Sequence, residues 1–116
     1  MNRNLKLVIN NSIKKYEEKF FFEKKELKII LDLYAKMVSN GSWKDYSFTS
    51  GIKEVSFDVY QRASDKPVLR ILKNLKPRYF NEKYLIKDKN GAILKKSENL
   101  NQLISKTSWN KLKLVK

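Results

Sequence analysis

The chain has 116 residues, of which 41% are hydrophobic, and a formal net charge of +14, with neither cysteine nor histidine. This length suits one domain that buries its own core. The missing cysteine and histidine exclude disulfides, zinc sites built from their side chains and histidine-based catalytic triads. Isolated glycines at 41, 51 and 91 also exclude a glycine-rich phosphate loop. We therefore expect no metal, no cofactor and no enzymatic activity.

The amino-terminal residues predict a protein without a membrane partner. Their apolar run is far shorter than the roughly 18 residues that span a bilayer, and no small-residue cleavage site follows it. Together with the absence of cysteine, this pattern predicts a cytoplasmic location. Residues 1–21 predict an extension that is partly ordered or an oligomer contact, because three adjacent rings at 20–22 cannot all enter one core. Residues 22–116 predict a single domain.

A long helix is predicted from about Glu23 to Ser39. Apolar residues recur there at spacings of three and four, which is typical of one buried helical face. Glu23 and Glu26 lie in the first turn, where carboxylates suit the helix dipole, and Asn40-Gly41 ends the helix. The apolar positions of this face are Leu27, Ile30, Leu31, Tyr34 and Val38.

The chain from Trp43 to Leu94 consists of short apolar or alternating runs, which predict strands. The turn at Asp88-Lys89-Asn90-Gly91 is the strongest hairpin signal. Ser97 is then the predicted amino-terminal cap of a short helix. Residues 109–116 alternate apolar and basic and predict a strand that closes this sheet or extends a partner's. The five central strands are placed near 44–49, 54–62, 68–73, 82–87 and 92–95.

These elements predict a single small α+β domain, in which an antiparallel β-meander of about five strands packs against one long N-terminal and one short C-terminal helix. The sheet face away from the helices is where we expect binding. If Arg62 pairs with Val68, antiparallel register places Tyr60 opposite Arg70. The residues that then share the outer face are Asp58, Tyr60, Arg62 and Arg70.

The positive charge is uneven along the chain. Residues 66–116 contain 14 basic and 3 acidic side chains, whereas residues 29–65 contain 4 and 5. This distribution favours an anionic partner such as nucleic acid, because clustered cations recruit phosphates. The alternative is a solvated surface in a lysine-rich chain, with an ordinary salt bridge between Asp58 and Arg70. The candidate nucleic-acid-binding residues are Tyr60, Arg62, Arg70, Arg78, Lys95 and Lys96.

Other functions remain open from the sequence. One alternative is a protein interaction module or homodimer with no nucleic-acid role, which would use the aromatic amino-terminal stretch or the terminal strand. Trp43, Asp45 and Tyr46 predict either a recognition loop or rings that close the core, with Asp45 paired locally. Enzymatic activity would require Glu26 or Asp45 to act as a base, with its pKa raised by burial.

Several spaced blocks carry a family resemblance. They are Phe22-x-x-x-Glu26-Leu27, Leu33-Tyr34-x-x-Met37-Val38-x-x-Gly41-x-Trp43-x-Asp45-Tyr46, Arg62-x-Ser64-x-x-Pro67-x-x-Arg70-Ile71, Gly91-x-Ile93-Leu94-Lys95 and Leu112-Lys113-Leu114-Val115. Over about residues 22–115 the chain resembles the alphaproteobacterial domain-of-unknown-function family 2794. The resemblance implies a bacterial, cytoplasmic, single-domain protein and assigns no activity, cofactor or substrate. Members of that family carry a histidine before the second helix, where this chain has Lys95-Lys96-Ser97-Glu98, so a histidine-dependent chemistry would not transfer.

Overall fold

The computed structural model describes residues 22–62, 66–107 and 109. The extension predicted for residues 1–21 lies outside this part of the chain, apart from its boundary with Phe22. The strand predicted for residues 109–116 also lies outside it, apart from Trp109.

A five-stranded antiparallel sheet forms the body of the protein, in the order β1-β2-β3-β4-β5, so that each strand pairs with its neighbour in the chain. The fold is the predicted α+β meander with one long and one short helix. The elements are α1 (Lys24–Ser39), β1 (Asp45–Ser50), β2 (Glu54–Tyr60), β3 (Leu69–Asn74), a 3-10 turn (Phe80–Glu82), β4 (Tyr84–Asp88), β5 (Ile93–Ser97) and α2 (Leu100–Lys106).

Helix α1 begins and ends where the sequence predicts. The Glu26 carboxylate accepts the backbone N–H of Glu23 at 2.6 Å, which satisfies a donor that the first turn would otherwise leave free. At the other end, Gly41 has a φ of +83°, a left-handed conformation that glycine adopts without a steric cost. The buried face of α1 differs in part from the predicted one. Ile30, Leu33 and Met37 are buried, whereas Leu31 and Val38 are 41% and 40% exposed, because the buried positions of the helix follow 26, 30, 33 and 37.

The core lies between the helices and one face of the sheet. Phe57, Ile71 and Ile86 are register partners across β2, β3 and β4, and each is fully buried beneath α1. Trp43 is also buried and contacts Trp109 edge-on, with ring centroids 5.8 Å apart. The prediction that Trp43 closes the core is therefore confirmed.

Asp45 and Tyr46, which belong to the same junction, are more exposed than Trp43. Tyr46 stacks on Phe57 at a centroid distance of 5.1 Å but remains 40% exposed. Asp45 accepts the backbone N–H of Tyr46 at 2.8 Å, which confirms its predicted local pairing.

The predicted register between β2 and β3 is wrong by two residues. Asp58, and not Tyr60, lies opposite Arg70, and β2 ends at Tyr60, so Arg62 lies beyond the strand. Both residues of the assumed pair, Arg62 and Val68, lie outside the strands, because β2 ends at Tyr60 and β3 begins at Leu69. The first cross-strand bond beyond the paired residues runs from Val68 N to Val59 O, at 2.8 Å. A shift of two preserves the alternation of faces, so the outer face is still the one that carries Asp58 and Arg70.

The predicted cap of α2 is also wrong. Asn99 caps this helix, with its side-chain oxygen accepting from Gln102 N at 3.0 Å. Ser97 remains the last residue of β5, opposite Tyr84, and its hydroxyl accepts the Asn99 N–H at 3.1 Å. Because Ser97 is held in the sheet, the helix starts two residues later than a serine cap would place it.

Candidate nucleic-acid interface

The outer sheet face is built around a buried carboxylate. Asp58 is 1% exposed and accepts hydrogen bonds from Thr49 at 2.6 Å and Ser56 at 2.7 Å. The Arg70 Nε atom lies 3.4 Å from the same carboxylate, and the Arg70 side chain remains 44% exposed. A buried carboxylate needs such a partner, so the Arg70 guanidinium compensates the charge of Asp58.

The middle of this face offers no open surface to a ligand. Leu72 and Leu85, which are register partners on the outer face, are both buried. The strand residues of the face are also balanced in charge among those that the structure describes. Three acidic side chains accompany three basic ones there, and the six residues are Asp45, Glu54, Asp58, Arg70, Lys87 and Lys96.

The structure brings together some of the predicted binding residues. Tyr60, Arg70 and Lys96 share the outer face, where the Tyr60 hydroxyl is 2.9 Å from Ser47 Oγ. The Lys96 ammonium lies 3.9 Å from the Glu82 carboxylate.

The other three predicted residues are dispersed. Lys95 is the register partner of Ile86 and therefore points to the helix side of the sheet. Arg62 follows the end of β2 and Arg78 follows the end of β3. Because β2 and β3 are antiparallel, these two arginines lie at opposite ends of the sheet.

The end of the sheet that contains Arg78 carries the most exposed apolar side chains. We call it the basic end and define it as the β1–β2 turn (51–53) and the β3–β4 loop (75–83). The backbone N–H of Leu75 donates to Lys53 O at 2.8 Å, which holds the turn against the loop. Tyr79 is 60% exposed, Phe80 is 82% exposed and Ile52 is 88% exposed.

Charged side chains surround these apolar groups. Lys53, Lys76 and Arg78 are exposed. Lys83 is half-buried and places its ammonium 5.4 Å from the centre of the Tyr84 ring. The acidic Glu82 faces Lys96 at the edge of this region. The basic end thus combines exposed rings with exposed cations, a combination that suits an anionic polymer with stackable groups.

Sequence reasoning identified only Arg78 of this region. The signal was the segment Lys76-Pro77-Arg78-Tyr79-Phe80, which lies between two predicted strands. It contains a proline that is followed by an arginine and two aromatic residues. Pro77 and the lack of strand alternation predict a loop, and loops lie on the surface. The sequence therefore contained enough information to predict that this aromatic pair lies in an exposed basic loop.

A second cluster lies inside the core. Glu26 is buried and accepts from Lys73 Nζ at 2.8 Å and from the hydroxyl of Tyr84. Burial, followed by the hydrogen bond to Glu26, raises the pKa of the Tyr84 hydroxyl well above its ordinary value. Both carboxylate oxygens have donors, including Glu23 N, so this arrangement serves to attach α1 to the sheet.

Asp45, the other carboxylate considered as a base, is exposed and paired with its own neighbour.

A groove of about 740 Å³ separates the two helices. Its walls mix apolar side chains such as Leu33 and Ile104 with polar ones such as Asp32, whose carboxylate is 3.2 Å from the Lys28 ammonium. These walls supply no converging set of charged groups among the described residues.

The described residues contain no group of three or more acidic side chains placed to hold a metal ion. None of their helices is both long and apolar enough to cross a membrane.

The comparisons with known proteins identify one family. Residues 20–104 match the family described as "Protein of unknown function (DUF2794)". No curated protein and no solved structure matches the chain.

Proposed function

Because the chain belongs to the DUF2794 family, whose description assigns no activity, we propose a function from its own surface. It is a non-enzymatic accessory domain that binds single-stranded nucleic acid at the basic end. The observation that carries this proposal is the exposure of two adjacent rings, Tyr79 at 60% and Phe80 at 82%, in a basic loop. The lack of cysteine suits the reducing cytoplasm, where we place this role.

Tyr79 and Phe80 supply stacking contacts, which the charged side chains of the basic end do not provide. A folded protein gains nothing from leaving large rings in water, so their exposure favours a partner that covers them. Unpaired bases stack on aromatic side chains, with about 1–3 kcal/mol of binding free energy per base. Bases within a duplex are already stacked on one another, which makes a single strand the better ligand for Tyr79 and Phe80.

The cations of the same end supply the phosphate contacts. Lys76 and Arg78 flank Pro77 directly before the rings, and Lys53 is held beside the loop by its bond to Leu75. Each phosphate neutralised by such a side chain releases a bound counterion, so affinity falls steeply as salt rises. Lys96 extends the positive surface toward the outer face, although Glu82 partly neutralises it.

The proposal is tested by fluorescence anisotropy with a labelled single-stranded oligonucleotide, RNA and DNA in turn, and with the matching duplex. We expect binding at about 50 mM salt that weakens steeply by about 200 mM, with the single strand preferred. The double variant Lys76→Gln, Arg78→Gln should bind at least about tenfold more weakly, since two phosphate contacts are lost.

A charge-matched control distinguishes binding at the basic end from a general electrostatic attraction to the whole protein. Lys24 and Lys25 are exposed in the first turn of α1, so Lys24→Gln, Lys25→Gln removes the same charge away from the loop. This control should retain most of the affinity. Failure of the wild type to bind at low salt, or equal losses in the two double variants, would exclude the proposed site.

A further inference from the structure

The two edges of the sheet differ in how they are protected against pairing with another strand. The β5 edge carries Lys95 and Lys96, and its register with β4 shifts between Ile86 and Lys87. Lysines and irregular register are the usual means by which proteins keep an edge from pairing. The β1 edge has neither. Its sequence contains no lysine and no proline, and its register with β2 is regular over all six residues.

The β1 edge is also exposed. Every residue of the strand except Ser47 is exposed to solvent. On the helix side, Tyr46 and Phe48 are 40% and 43% exposed although they pack on core rings. A regular edge with a single charged side chain, Asp45, and two partly exposed rings is a template for another strand.

The hydrogen-bonding groups of this edge can be assigned from the register. Gly51 N donates to Glu54 O at 2.8 Å, so these two residues form a hydrogen-bonded pair. Bonded and non-bonded pairs alternate along an antiparallel ladder. The backbone groups of Asp45, Ser47 and Thr49 therefore face β2, and those of Tyr46, Phe48 and Ser50 face away. The side chain of Asp45 satisfies the Tyr46 N–H, which agrees with that assignment.

We propose that a second copy of the chain pairs with this edge. The two β1 strands run antiparallel about a two-fold axis at Phe48, and they join two sheets into one of twice the width. Phe48 then exchanges both backbone hydrogen bonds with Phe48 of the second copy. Tyr46 lies opposite Ser50 of the second copy, so the Ser50 N–H donates to the Tyr46 carbonyl, and the Tyr46 N–H exchanges its bond to the Asp45 carboxylate for one to the Ser50 carbonyl.

The strand is self-complementary in this register, which favours a second copy over an unrelated partner. On the helix side, Phe48 meets its own equivalent, and the exposed rings of both copies become covered. On the outer side, Ser47 lies opposite Thr49, a pairing of two small hydroxyl side chains. Asp45 is the only charged residue of the strand and lies opposite Gly51, so no like charges oppose each other.

Sedimentation velocity across a concentration series tests the proposal. We expect a species of twice the 13.8 kDa chain mass that persists or strengthens as salt rises, because salt screens repulsion between two chains of charge +14. The nucleic-acid interaction has the opposite salt dependence, so the two proposals fail independently. A wild type that stays monomeric at the highest concentrations would overturn the dimer.

Two variants locate the interface at β1. Phe48→Lys places like charges opposite each other and should abolish the dimer. Ser50→Pro removes an N–H that faces away from β2, so the sheet of the monomer is preserved. It removes two symmetric hydrogen bonds from the dimer and should weaken the dimer at least about tenfold. Circular dichroism verifies that each variant is folded.

The opposite edge supplies the matched control. Leu94 of β5 is 39% exposed, close to the 43% of Phe48, and Leu94→Lys should leave the dimer intact. If Phe48→Lys and Leu94→Lys weaken the dimer equally, β1 is not the interface. A dimer that persists unchanged in folded Ser50→Pro would lead to the same conclusion.

Discussion

The ammonium of Lys73 in β3 lies 2.8 Å from the carboxylate of Glu26 in the first turn of α1, and these side chains are 10% and 9% exposed. The same carboxylate accepts from the hydroxyl of Tyr84 in β4. One acidic side chain therefore fixes the start of the helix to two adjacent strands. The interaction is largely removed from solvent, so its loss leaves a buried charge without a partner.

Replacing one member of this ion pair should destabilise the fold strongly. Glu26→Gln preserves size but leaves the Lys73 ammonium uncompensated, which should reduce the free energy of unfolding by about 3–5 kcal/mol. The double variant Glu26→Leu, Lys73→Leu removes both charges and should be considerably less destabilised. Urea denaturation measures both.

A surface pair serves as the control for that measurement. Lys28 and Asp32 are 3.2 Å apart but 77% and 71% exposed, so Asp32→Asn should change stability little. Equal effects of Glu26→Gln and Asp32→Asn would contradict the structural role of the buried pair.

Tyr84 should make the protein sensitive to alkaline pH. Its pKa is raised in the fold, first by burial and then by the hydrogen bond to Glu26. Above about pH 10 the unfolded chain loses this proton while the folded chain retains it, so stability falls as pH rises. Unfolding curves between about pH 9 and 11 should show a smaller decline for Tyr84→Phe than for the wild type. The surface variant Tyr79→Phe should follow the wild-type curve.

The proposed stacking platform predicts a distinct effect of the exposed rings on binding. Tyr79→Ala, Phe80→Ala should weaken binding of the single strand by about tenfold or more, since one or two stacked bases are lost. Its salt dependence should stay close to that of the wild type, because the phosphate contacts remain. Anisotropy titrations at two salt concentrations separate these quantities.

Ile52 is the control for exposed apolar surface at the same end. It is 88% exposed but aliphatic, so Ile52→Ala removes no ring. Retained affinity in this variant supports stacking. If Ile52→Ala weakens binding as much as the loss of both rings, the contact is generally hydrophobic and the stacking mechanism is wrong.

The sequence predicted the elements of this fold well because their signals are local. Spacings of three and four marked α1, and Asn90-Gly91 marked the β4–β5 turn, where Gly91 has a φ of +86°. The β2–β3 register was missed because it depends on how many residues separate the end of β2 at Tyr60 from the start of β3 at Leu69. The alternation of side chains between the two faces is the same before and after a shift of two residues, so it cannot reveal the register.

The candidate site was predicted less well, and for a different reason. The ion pair between Asp58 and Arg70 was predicted as the alternative to a binding role for Arg70, but the burial of Asp58 was not. The role of Glu26 depends on Lys73, which is 47 residues away in the chain. Local patterns could not show that second relation, because it depends on how the helix packs on the sheet.

The order of the strands has a consequence for how the chain folds. Every pairing in the described sheet joins consecutive strands, so each hairpin closes over a short stretch of chain. Contact order is therefore low for a protein with this much sheet, which favours rapid folding. The bonds from Glu26 to Lys73 and Tyr84 span 47 and 58 residues, so they require a much larger loss of chain entropy. Docking of the long helix is accordingly expected to follow assembly of the meander and to limit the folding rate.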